Sequence, residues 1–240
     1  MNTALIFAGG TGQRMNTRAK PKQFLELHGK PIIIYTLKHF EAHRDIDNIV
    51  VVCLGCWMNA LQKILKRYDF CKVIRIVPGG NTGHESIYNG LAAMRDICND
   101  DDIVLIHDGV RPLINYEIIT ANIDHVKNYG SAITVEPARE SIIHSRDGEL
   151  IDAVPKRNEI YVAKAPQSFY YGKIWGLHQR AKQEGVLSID SAHLCNIYNS
   201  EIHMVVGPSN NMKITAPADY YIFRALYEAM ENQQILGVGL

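Results

Sequence analysis

The chain has 240 residues, 47% of them hydrophobic and 21% charged, which excludes a mainly disordered polypeptide and fits one large domain or two small ones. Its 25 Lys and Arg balance 25 Asp and Glu, so a general nucleic-acid binder, which needs a basic excess, is excluded, while a local basic pocket for one small anion is not.

In chain order, Ala4 to Ala8 reads as a short buried strand running into glycines. Pro31, favoured in a first helical turn, opens a helix with Ile33, Ile34, Leu37 and Phe40 on one face. Asn48 to Leu54 is a continuously apolar strand, as expected where both sheet faces are covered. A helix over Met58 to Tyr68, a strand over Lys72 to Val77 and a helix over Glu85 to Ile97 follow. A strand over Ile103 to Ile106, a helix over Glu117 to Lys127 and a strand over Ala132 to Val135 complete the alternation. This order predicts an α/β, Rossmann-like fold: a mainly parallel twisted sheet with helices on both faces.

The rhythm breaks after Pro137. Ser141 to His144 and Leu150 to Val154 read as two short strands around an Asp147-Gly148 turn, a β-hairpin expected to project as an arm over about 138–160. An edge hairpin fits the same pattern. A helix over Lys173 to Lys182, a strand over Ile202 to Val206 and a helix opened by Pro217 follow. With no repeat or linker, residues 1–240 read as a single domain.

The apolar runs fall far short of the roughly 20 residues of a membrane span. The N-terminus shows no secretory pattern, so a cytoplasmic protein without a membrane partner is expected. Five cysteines, an odd number, read as reduced thiols. Cys53 and Cys56 form a lone C-x-x-C at a strand end, with neither a second pair nor a redox signature, and read as two free thiols. No metal ligand set is found among the histidines and cysteines.

The chemistry gathers where strands end. Ala8-Gly9-Gly10-Thr11-Gly12-Gln13-Arg14-Met15 follows the first strand. Its glycines let backbone N–H groups converge on an anion. It is neither a P-loop nor the dinucleotide fingerprint. Arg14, with Lys22 in Pro21-Lys22-Gln23-Phe24, adds two cations, a set that suits a triphosphate. Gly79-Gly80 with Ser86 and Asn89, then Asp108 with Arg111 and Pro112, then Lys213 in Asn211-Met212-Lys213-Ile214-Thr215 follow later strands. In an open parallel sheet such ends share one ligand-binding edge.

Together with Ala165-Pro166-Gln167, these motifs resemble the cytidylyltransferase family that includes methylerythritol phosphate and ribitol phosphate cytidylyltransferases, from Ala8 to Asp219. The resemblance implies that an acceptor phosphate oxygen attacks the α-phosphorus of CTP, pyrophosphate leaves and a CDP-polyol forms. It implies that Arg14 and Lys22 stabilise the α-phosphate and the leaving group, and that Lys213 reaches the α-phosphate and the attacking phosphate. Ala8, Gly9, Gly10, Gly12, Gly80, Ser86 and Asp108 are implied in CTP binding. Asp108, Arg111, Ser141 and Arg157 are implied at the acceptor, with Arg157 delivered by the arm of a partner in a homodimer. A Mg²⁺ accompanying CTP, held largely by the triphosphate, is implied as well.

The chain departs from the family where an arginine is frequent, in Asn81-Thr82-Gly83-His84. It departs again where Ser141, Ala165 and Ile189 replace threonines. Val110 and the run Pro31 to Thr36 are closer to the ribitol phosphate branch, making D-ribitol 5-phosphate the expected acceptor and 2-C-methyl-D-erythritol 4-phosphate the alternative. A different nucleotidyltransferase would place a metal-binding acidic pair after the fourth strand, where Asp108 stands beside Gly109. A non-catalytic nucleotide-binding module would have no need to keep Arg14, Lys22 and Lys213 together.

Overall fold

The computed structural model describes residues 1–9 and 20–236. Among them, seven strands form one sheet: β1 (Asn2–Ala8), β4 (Asn48–Cys53), β5 (Val73–Pro78), β6 (Ile103–Asp108), β7 (Ser131–Pro137), β8 (Tyr161–Tyr170) and β9 (Met204–Val206). A separate small pair joins β2 (Glu26–Leu27) to β3 (Lys30–Pro31). The sheet order is β5-β4-β1-β6-β8-β7-β9. Only β8 is reversed, antiparallel to both β6 and β7.

Alternation along the strands divides the core in two. Ala4, Ile6, Ile49, Val51, Ile103 and Leu105 join one cluster. That cluster includes side chains of α1 (Ile32–Ala42), α2 (Met58–Arg67) and α4 (Tyr116–Tyr129). Leu5, Val50, Val52, Val104 and Ile106 face the other way. Their cluster draws on α3 (Gly83–Ala92), α5 (Tyr171–Glu184) and α6 (Ser191–Ile197). A period of two on strands and helices on both faces is what the continuous apolar runs require. The last helix, α7 (Pro217–Leu236), packs Phe223 with Tyr35 of α1 and Ile214 in a third cluster. No helix of the described residues is long and apolar enough to cross a membrane.

Several expectations need correction. Residues 141–154 do not form two regular strands: one bridge, His144 with Ala153, joins the two sides. The turn is where expected, with Gly148 at φ +81° and the Asp147 carboxylate accepting from the N–H of Glu149 and of Leu150 at 2.9 Å each. Arg146 clasps Asp152 across it, Nη2 to Oδ1 at 2.8 Å. A two-stranded ribbon whose apolar side chains find nothing in the same chain to pack against is marginal, so its ladder does not extend. The helix expected to reach Ile97 ends at Ala92. Strand β8 and helix α6 were not foreseen. Pro166 argues against a central strand from sequence, and β8 admits it through a bulge: between Ile133 and Val135 of β7 the partner advances from Gln167 to Ala163.

The reversal of β8 determines where the arm emerges. β7 ends at the carboxyl edge of the sheet and β8 begins there, with Ala138 N–H donating to Ile160 O at 2.9 Å. Both feet of the arm, residues 138–160, therefore stand on the edge where parallel sheets bind ligands.

Candidate active site

Gly9, just after β1, and Gly79, just after β5, converge on one hydroxyl. A Cβ on Gly9 would lie 2.9 Å from Ser86 Oγ, and one on Gly79 3.1 Å from the same atom. Ser86 Oγ accepts from Gly80 N–H at 3.1 Å and donates to Thr82 O at 2.9 Å. Ser86 is held there because α3 starts sharply: the Thr82 hydroxyl caps it by accepting from Glu85 N–H at 3.1 Å. The expected neighbourhood of Ala8, Gly9, Gly80 and Ser86 is thus formed. Gly10, Gly12 and Arg14 lie outside the described residues.

Lys22 sits in a 3₁₀ turn, Lys22–Phe24. Gln23 of that turn donates Nε2 to Ala8 O at 2.6 Å, which fastens the turn to the end of β1. Burial alone would raise the Asp219 carboxyl; hydrogen bonds from the Ala216 and Thr215 N–H groups and the Thr215 hydroxyl outweigh it and lower the group, with a smaller contribution from the Lys22 charge.

Asp108 ends β6 at 4% exposure. Its Oδ2 accepts from Arg111 Nε at 2.7 Å, and its Oδ1 lies 2.5 Å from Lys213 Nζ. Burial alone would raise the Asp108 carboxyl; the Lys213 and Arg111 charges outweigh it and hold the group below the usual carboxylate range. Arg111 also donates Nη1 to Asn211 O at 3.0 Å, and Asn211 Nδ2 donates to Ala165 O at 2.7 Å. Ile214 N–H donates to Val110 O at 2.9 Å. Thr215 donates backbone N–H and hydroxyl to Asp219 at 2.7 and 2.8 Å. Lys213 is therefore presented by a segment anchored on both sides, with Nζ 5.7 Å from the centre of the Phe7 ring.

Asp108, Arg111 and Lys213 line one cavity of about 210 Å³ together with Lys164, Gln167 and Asp190. Gln167 Nε2 donates to Asp190 Oδ2 at 3.0 Å, and its Oε1 accepts from Ala192 N–H at 2.9 Å. A buried anion held by two cations, one of them half-exposed at a glycine-lined edge, can receive phosphate and stabilise charge growing on it. Ser141 and Arg157 are exposed on the arm and are not in that lining. The sequence gives no sign of a part for Lys164 or Asp190, and Gln167 stands only within the motif Ala165-Pro166-Gln167. The one signal available was a proline inside a run otherwise fit for a strand. Among the described residues no group of three His, Cys, Asp or Glu could hold a metal.

Two buried histidines make the stability of the fold depend on acid. His107, beside Asp108, is fully buried and pushed down to about 3 by burial. His178 of α5 is also lowered to about 3, by burial first and then by neighbouring His84. A histidine held neutral in the fold but free to protonate near 6.5 when unfolded contributes stability above pH 6.5 and loses it as pH falls. The loss is about 1.4 kcal/mol per pH unit for each such histidine. Asp108 acts in a separate window: its contribution is complete above about pH 4 and declines below. Urea unfolding at pH 7, 6 and 5 should show stability falling through this range, with a shallower slope for His178→Phe. An identical slope for that variant would remove His178 from the account.

The profile of the family described as "IspD: 2-C-methyl-D-erythritol 4-phosphate cytidylyltransferase" matches residues 2–229. The chain is 48% identical over 239 residues to a ribitol-5-phosphate cytidylyltransferase of Streptococcus agalactiae serotype Ia, covering 99% of this chain and 100% of that one. It is 35% identical over 230 residues to a 2-C-methyl-D-erythritol 4-phosphate cytidylyltransferase of Clostridium botulinum strain Loch Maree, covering 95% and 98%. The crystal structure of 4-diphosphocytidyl-2C-methyl-D-erythritol synthase from Anaerococcus prevotii superposes with a TM-score of 0.82 at 25% identity, covering 95% and 96%.

Proposed function

Since the chain belongs to the 2-C-methyl-D-erythritol 4-phosphate cytidylyltransferase family, we propose that it transfers CMP from CTP to D-ribitol 5-phosphate, giving CDP-ribitol and pyrophosphate. The enzyme is a cytidylyltransferase of polyol phosphates. The choice of acceptor rests on 48% identity to ribitol-5-phosphate enzymes against 35% to methylerythritol phosphate enzymes. The observation that carries the chemistry is the Asp108–Lys213–Arg111 cluster in one cavity at the carboxyl edge of the sheet.

On this reading CTP lies along Ala8, Gly9, Gly80 and Ser86, with its α-phosphate towards Lys213 and Lys22. Arg14, Gly10 and Gly12 belong to the same role as in the family. An oxygen of the acceptor phosphate attacks the α-phosphorus, the bond to the bridging oxygen breaks, and pyrophosphate leaves with that electron pair. Lys213 and Lys22 meet negative charge that grows on the non-bridging and leaving oxygens, so they act on the transition state more than on bound CTP. Asp108 holds Lys213 and Arg111 in place and remains ionised throughout. Magnesium fits as a companion of CTP: the triphosphate supplies hard oxygen ligands, and Asp108 is already engaged by two cations. Bound in that way it supplies charge neutralisation on the phosphates.

The arm completes the proposal. Ile143, Leu150, Ile151 and Val154 are 55–72% exposed, more apolar surface than an isolated loop keeps in water. A second copy of the arm would cover them in a two-fold dimer and bring Arg157 and Ser141 to the neighbour's acceptor site. We place the enzyme in the cytoplasm, where CTP is made.

Pyrophosphate release tests the reading directly. Turnover is expected with CTP and D-ribitol 5-phosphate, well above that with ATP or GTP and above that with 2-C-methyl-D-erythritol 4-phosphate. Equal turnover with a purine triphosphate, or preference for the methyl-bearing acceptor, would reject it.

A further inference from the structure

We propose that Lys164 is a specificity-determining residue that hydrogen-bonds the hydroxyl-bearing tail of the acceptor, an inference that rests on the polyol phosphate reading above. Lys164 is 9% exposed and lines the cavity shared by Asp108 and Lys213. A lysine is almost never this buried unless paired. Its Nζ lies 2.5 Å from Glu136 Oε2 and donates to Ser209 O at 3.0 Å. An ammonium has three donors, and those two partners leave one for a ligand in the cavity.

Position explains which ligand. Strand order places the glycines after β1 and β5 on one side, the cation pair at the end of β6, and Lys164 with Glu136 on β8 and β7 beyond it. Lys164 is therefore on the opposite side of Lys213 from the nucleotide glycines. A molecule whose phosphate reaches Lys213 from the arm side extends its tail past Lys164. The backbone there is irregular for a reason. Lys164, Ala165 and Pro166 occupy the bulge of β8, where the register with β7 shifts. Bulges beside active sites re-aim side chains. Here the bulge carries a buried cation that a regular strand would not need.

The chemistry separates the two candidate acceptors. Ribitol phosphate has an unbranched tail with a hydroxyl on every remaining carbon. Methylerythritol phosphate also has a hydroxyl on every remaining carbon of its chain, but that chain is shorter by one hydroxyl-bearing carbon and carries a methyl branch, so it falls short of a donor placed at the end of the longer tail. A charged donor held ready by Glu136 favours the first, and a buried polar group left unpaired disfavours the second.

The test is Lys164→Met in the full chain, read as kcat and KM for both acceptors and for CTP. Glu136 would lose its buried partner in that variant, so Glu136→Gln/Lys164→Met is measured beside it and is used if the single variant does not fold. We expect kcat/KM for D-ribitol 5-phosphate to fall about 10- to 100-fold, the size of one charged hydrogen bond, mostly in KM. The KM for CTP should stay within about twofold, and preference should move towards the methyl-bearing acceptor. Equal losses on both acceptors, a loss in CTP binding or no loss at all would overturn the inference and leave the acceptor assignment standing. A wild-type chain that turns over only the methyl-bearing acceptor overturns both.

Discussion

Lys213→Ala is expected to lower kcat by about 10²- to 10³-fold while the affinity for CTP changes much less. The ammonium stands 2.5 Å from Asp108 Oδ1 and is more exposed than its partner, so it can meet phosphate without leaving the pair. On the proposed reading the charge it faces is larger in the transition state than in bound CTP, and removing it costs rate before it costs binding. The fold should survive, because Asp108 keeps its bond from Arg111. Single-turnover kinetics with saturating CTP separates the outcomes. A variant with normal kcat and weakened CTP binding would reduce Lys213 to a ground-state contact.

The other large effect is a recovery. Arg157→Ala and Lys22→Ala should each be nearly inactive alone, and a re-equilibrated equal mixture should regain about a quarter of wild-type activity. In the proposed two-fold dimer, half the dimers formed at random would be mixed, and in each of these one of two sites would join an intact Lys22 to the partner's intact Arg157. In one chain Arg157 is exposed on the arm, outside the lining of the cavity that holds Lys213. If mixed dimers form without activity, Arg157 does not act across the interface. A chain that sediments as a monomer at assay concentration removes the dimer altogether.

What could be read from sequence was whatever depends on neighbouring residues. The apolar runs at Ala4 to Ala8 and Asn48 to Cys53 announce buried parallel strands because both their faces are covered. Asp147-Gly148 announces a turn because only the left-handed region closes it. The pair Asp108 and Arg111 sits three residues apart, so its ion pair is almost local. Strand β8 escaped because its evidence is non-local: a proline is tolerated there by a bulge opposite β7, and nothing within residues 161–170 reveals the partner. Lys164 escaped with it, since a lysine in a loop and a lysine buried against Glu136 look identical in one dimension. The arm was located but its regularity was overstated, because pattern alone cannot tell whether a ribbon has anything to pack against.

The reversed strand has a consequence for how such an enzyme can change. Because β7 leaves and β8 returns at the same edge, everything between Ala138 and Ile160 can be lengthened, shortened or rewritten without threading a crossover past the sheet. The strands on the far side, β1, β4 and β5, with the glycines that follow β1 and β5, keep their register regardless. On the proposed reading, donor chemistry is thereby tied to the half of the sheet that carries the glycines and acceptor choice to an insertable segment. A lineage could exchange one polyol phosphate for another by editing some twenty consecutive residues and a single bulge, while inheriting its phosphoryl-transfer machinery intact.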